Sequence, residues 1–201
     1  MHAYAAHTIE CSVAVADAFS LRRAIVAFPM ARICLENAVY CQYAVHHDDG
    51  MQALLHKLIS SHQTVTQAIE DALGNRFEKD GTFYDSAFPE GKKHHERFTK
   101  TLSNFVDDPF LTMAYAVLSG YAHPSILTMQ MYVDFAEGDN QVRELAFVSE
   151  SRVDLSIAVH TAYSCSLALN AMQVATEGLL DLANFNALAT KSNLPQKLEL
   201  K

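Results

Sequence analysis

The chain has few of the residues that make turns. Seven glycines and five prolines in 201 residues are too few for a β-sandwich, whose short strands need a tight turn at every reversal. No run of about 20 uncharged apolar residues occurs, so a membrane-spanning helix is not expected. The start, Met1-His2-Ala3-Tyr4, has neither the basic nor the apolar region of a signal peptide. The four cysteines (Cys11, Cys34, Cys41, Cys165) include no C-x-x-C pair. Cys34 and Cys41, seven apart on one helix face, read as small core residues, and a reducing cytoplasm is the simplest setting. A Gly-rich phosphate loop, a G-x-S-x-G elbow and an H-E-x-x-H pair are all missing. Positive charge is scarce as well, and the net charge of −8 argues against a generic DNA-coating role while leaving room for a local basic groove.

What is present is helical periodicity. Half the residues are apolar, and a chain this long buries about 70% of its surface in one core. The expectation is an all-α fold: a single helical bundle of about six helices spanning residues 1–190, with one or two buried central helices and a frayed tail over 191–201. Residues 8–19 form a short helix. Residues 20–47 form a strong one that kinks or restarts at Pro29. Asp48-Asp49-Gly50 breaks it. Over 51–73, Leu54, Leu55, Leu58, Ile59, Val65, Ile69 and Leu73 make one apolar stripe, closed by Gly74-Asn75 as a left-handed cap. A loop over 75–90 and an exposed basic helix over 91–105 follow. Asp108-Pro109 starts the next helix. It carries no charge to about Tyr121, so it should be buried, and His123-Pro124 ends it. A small hairpin fits 128–148. A long helix over 151–183, apolar on two faces, is expected to be central.

Polar residues on apolar helices are the places to look for chemistry. Tyr115 and Ser119 share a face, and His123 lies just past the helix end, where an imidazole suited to proton transfer can turn into a cavity. The bland alternative is a satisfied network joining helices. Arg32 and Glu36 lie one turn apart, either as an ordinary surface pair or as a partly buried Arg needing its partner. His62 and His160 occupy apolar stripes of separate helices. His46-His47-Asp48-Asp49 contains an H-D pair, but adjacent ligands at a helix end diverge and suit a metal poorly. The other histidines that might join them, His2 and His7, fall in a frayed start. Lys93, Arg97 and Lys100 share one face that matches a phosphate backbone, or a solvated face balanced by Glu90 and Glu96. No metal and no cofactor is expected.

Arg32-x-x-x-Glu36 on an early helix, with Leu118-Ser119-Gly120-Tyr121-Ala122-His123-Pro124 ending a later one, resembles a set of bacterial helical proteins that look similar to HEPN-type bundles. Many of those are ribonucleases of toxin–antitoxin and antiphage systems. The resemblance implies metal-independent action on RNA, with His123 as general acid or base, Arg32 stabilising phosphate charge, and Tyr115 or Ser119 orienting the groups. One departure stands out. HEPN ribonucleases place His after Arg with four to six residues between, whereas the nearest pair here, Arg152 and His160, has seven. The other expectation is a non-catalytic helical protein that forms a homodimer or captures a small ligand or a protein partner.

Overall fold

The computed structural model describes residues 1–21, 23–74, 108–123, 128, 133–135, 142–145 and 155–198. Within these, helices α1 (His2–Ser20), α2 (Ala24–His46), α3 (Gly50–Leu73), α4 (Pro109–Ala122), α5 (Leu155–Ala175) and α6 (Ala183–Lys191) make an all-α bundle. Two short strands, β1 (Val133–Phe135) and β2 (Val142–Leu145), pair antiparallel inside the segment expected to hold a hairpin, with a register irregularity at Asp134/Phe135. Among the described residues no helix is long and apolar enough to cross a membrane. The expected loop over 75–90 and the basic helix with Lys93, Arg97 and Lys100 lie outside the described residues.

α2 is the central element, packed by α1, α5, α4 and α3. Its inward positions explain how so many neighbours fit. Ala27, Ala31, Cys34, Ala38 and Cys41 are fully buried, and such small side chains let helix axes approach at the short end of the usual 8–10 Å. α1 answers with Ala5, Thr8, Cys11, Val15 and Ala18, and α5 with Leu167, Ala168 and Ala171. Three of the hydroxyls in this core are turned back on their own helices. Thr8 donates to the Tyr4 carbonyl, Thr161 to Ile157 and Ser164 to His160, so burial leaves these groups satisfied.

Several expectations are corrected. α1 begins at His2, not near residue 8, and His7 is tied to Asn37 (Nδ2 to Nδ1, 3.2 Å) rather than frayed. α2 is continuous through Pro29 and does not restart there; it begins at Ala24. α4 is buried on one face alone, by Leu111, Ala114 and Leu118, while Met113 is exposed; the absence of charge marked it as apolar, not as central. The long last helix is two. α5 stops at Ala175 because Glu177 (φ 52°) and Gly178 (φ 79°) take left-handed backbone, and the Gly178 amide donates to the Gln173 carbonyl, the geometry that terminates helices.

The tail past Lys191 is also held, as far as Leu198. Fully buried Gln42 donates to the carbonyls of Leu167 (2.8 Å) and Gln196 (3.3 Å), and its Oε1 accepts from the Leu198 amide (3.1 Å). One side chain therefore ties α2, α5 and the chain end. Gln42→Ala strands these groups away from water. It should cost about 1–3 kcal/mol in urea unfolding and speed amide exchange at Leu198.

Burial also suppresses ionisation in the core. The Cys41 thiol is pushed up to about 12, by burial first, and Cys34 is pushed up by burial with Cys165 and Cys11 nearby. A thiol raised by folding keeps its proton where the unfolded chain loses it. Its contribution is therefore constant at neutral pH and is lost as the pH rises past the ordinary thiol value of 9.0 toward about 12. The urea midpoint should fall between pH 8 and pH 10, and Cys41→Ala should make that fall shallower.

Candidate functional site

α2 and α4 cross where their sequences offer an aromatic pair and a cation. Phe28 stacks on Tyr121 with ring centroids 4.1 Å apart. One turn further along α2, Arg32 reaches across to α4. Its Nε donates to Glu36 Oε1 (2.9 Å), its Nη2 to the Tyr115 hydroxyl (3.0 Å), and its Nη1 lies 2.6 Å from His123 Nε2. The guanidinium also stands 5.1 Å from the Tyr115 ring centroid, within cation–π range. The Arg32 and Glu36 side chains are 22% and 27% exposed, so the pair is dry enough to be ordered and still open to solvent.

The chemistry of each group fixes its state. Guanidinium only donates, so His123 Nε2 accepts; the ring is then neutral with its proton on Nδ1. Arg32 has five N–H donors and its contacts to Glu36, Tyr115 and His123 use three. Among the described contacts one N–H remains on each of Nη1 and Nη2, and guanidinium donors of this kind bind phosphate or carboxylate oxygens. Glu36 offsets the charge and fixes the rotamer.

His123 is placed by the end of α4. Its backbone is extended (φ −115°, ψ 156°), the conformation favoured before Pro124, and the Thr128 hydroxyl donates to the His123 carbonyl at 2.7 Å. The other end of α4 is pinned too. Asp108 Oδ1 accepts the Phe110 amide (2.9 Å), and Oδ2 accepts the Tyr163 hydroxyl from α5 (2.7 Å). Burial, with Asp108 second, pushes the Tyr163 phenol up, so it stays a donor.

Of the five residues singled out in sequence, the structure brings together Arg32, Glu36, Tyr115 and His123. Ser119 stays outside: its Oγ is buried and makes no hydrogen bond to the four. The two-histidine idea has no described partner, because the side chain of His62 lies outside the described residues; buried His160 packs 5.1 Å from the Phe110 ring. His47 accepts from the Asp49 amide (3.3 Å) and packs on Tyr43. Among the described residues no three His, Cys, Asp or Glu side chains converge as metal ligands.

Sequence reasoning missed a second cation. Lys57 of α3 donates to the Tyr40 hydroxyl and lies 3.6 Å from that ring's centroid. Its pKa is lowered by burial, a shift that Glu36 partly opposes. Arg32, Glu36 and Tyr40 are successive turns of one α2 face, and a lone lysine facing that row was the available signal. Thr128 belongs to no motif and gave none. Comparison of the chain with protein-family models, curated proteins and solved structures found no match.

The contact between Arg32 and His123 is the one to measure. Arg32→Ala and His123→Ala should each lower thermal stability, and the double variant should lose less than the sum, with a coupling of about 0.5–3 kcal/mol. Full additivity would mean the two side chains do not interact in solution.

Proposed function

We propose that this chain is a HEPN-like helical protein that acts on RNA in a toxin–antitoxin or antiphage setting, with Arg32, Glu36, Tyr115 and His123 as its site. The observation that carries the reading is the 2.6 Å approach of a guanidinium to an imidazole at an open helix end. It pairs a phosphate-binding cation with a proton acceptor. Cleavage needs both: Arg32 to neutralise charge growing on the non-bridging oxygens, and His123 to take the 2′-hydroxyl proton as that oxygen attacks phosphorus. The bond to the 5′-oxygen then breaks, leaving a 2′,3′-cyclic phosphate, and the proton passes to the departing 5′-oxygen. Binding and activation are linked in this arrangement. A phosphate that draws the Arg32 donor off Nε2 uncovers the lone pair that acts as base. Tyr115 and Glu36 position the guanidinium.

A second reading has its own support. Glu36, Tyr115 and His123 all bond to Arg32, which is what a latch joining α2 to α4 in a non-catalytic binding protein would also show. Incubation of labelled single-stranded RNA with the wild type in EDTA separates the two. Cleavage to cyclic-phosphate ends, reduced at least about 100-fold by His123→Ala as expected for loss of a general base, is the predicted result. No cleavage by the wild type, or equal cleavage by both proteins, favours the latch.

A further inference from the structure

After the turn at 47–49, α3 folds back along α2, and Lys57 comes to lie on Tyr40. The ammonium donates to the Tyr40 hydroxyl and stands 3.6 Å from the ring centroid. Tyr40 is buried, whereas Lys57 is partly exposed. The lysine is held in place, but its charge is not answered. An ammonium has three donors, and the Tyr40 hydroxyl takes one. Among the described residues Lys57 has no ion-pair partner. Glu36 is the carboxylate whose field reaches it, yet Glu36 Oε1 already accepts from Arg32 at 2.9 Å. One carboxylate therefore serves two cations. The strip they form carries excess positive charge in a chain whose net charge is −8. A partly desolvated cation short of a counter-charge is costly, and an arriving anion supplies what is missing.

Position decides which kind of anion fits. Arg32, Glu36 and Tyr40 occupy successive turns of one α2 face, so Lys57 is stationed about 12 Å along the helix from Arg32. Each cation is tied at its own turn, Arg32 by Tyr115 and His123 and Lys57 by Tyr40. A lone phosphate does not serve both, but a strand of phosphodiesters does. We propose that Lys57 is a second phosphate contact for the RNA strand that Arg32 engages, holding another phosphodiester of the same strand. Lys57 takes this role only on the RNA reading of the Arg32 site. Tyr40 is its positioning residue.

Anisotropy titrations of the full chain with a labelled single-stranded RNA made uncleavable by 2′-deoxy substitution, repeated at several salt concentrations, test it. Lys57→Gln should weaken binding at least about threefold and flatten the slope of log affinity against log salt by about 0.7, the share of one phosphate on a single strand. Lys57→Met, which keeps the apolar stem over Tyr40, should do the same if the Gln variant fails to fold. Lys57→Arg should recover most of the slope. Binding that Arg32→Gln weakens, with affinity and slope unchanged in Lys57→Gln and Lys57→Met, overturns the proposal alone and leaves Lys57 a strut between α2 and α3. Weaker binding with an unaltered slope overturns it too, since the loss then comes from packing and not from a phosphate. A wild type that does not bind, or that binds equally after Arg32→Gln, overturns the RNA reading and this proposal with it.

Discussion

The described part of the molecule is organised around a cation that a helical bundle would ordinarily exclude. Arg32 sits on α2, the helix against which every major neighbour packs, and a guanidinium there is tolerable only if its donors are matched. Glu36 supplies the compensating charge from the next turn, and Tyr115 and His123 supply acceptors from α4. Removing any acceptor leaves a partly desolvated charge short of a partner, which is costlier than the bond itself is valuable. The placement of α4 follows from this. Its C-terminal end must bring His123 to Arg32, and Phe28 on Tyr121 sets the separation at which that happens.

Small residues make the rest possible. A central helix with large inward side chains would hold its neighbours too far apart for Arg32 to span the gap. Alanines and cysteines on α2 let α1 and α5 close in, and Gln42 then uses the proximity to collect backbone groups from α5 and from the chain end. Two polar side chains on opposite parts of the same helix thus do related work. Gln42 is sealed from solvent and fixes the fold. Arg32 is left with a solvent-reachable edge and two uncommitted donors, and that difference in exposure is why the second, not the first, is read as a site.

Much of this could be read from residues alone. Asp108-Pro109 marked the start of α4, Gly74 its left-handed cap on α3, and the polar residues Arg32, Glu36, Tyr115 and His123 stood out against apolar helices and do converge. The failures have a common physical origin. An uncharged helix was equated with a buried one, yet α4 buries one face and α3 leaves its stripe exposed, because sequence reports polarity and not what is available to pack against it. The division of α5 from α6 was missed since Glu177 carries the left-handed backbone beside Gly178, and nothing in a glutamate advertises positive φ. Gln42 acts through backbone groups that are distant in sequence, Ser119 shares a helix with the site without reaching it, and no local pattern distinguishes these cases.

The central claim is that the Arg32–His123 contact is a phosphate-responsive device and not only a latch. Nitrogen NMR of the His123 ring, recorded before and after addition of an RNA oligonucleotide made uncleavable by 2′-deoxy substitution, tests it most directly. The account predicts a neutral ring with the proton on Nδ1 in the free protein, and a change at Nε2 on saturation as the phosphate takes over the Arg32 donor. An Nε2 signal that stays the same at saturating RNA, or a free protein whose ring carries its proton on Nε2, would contradict it.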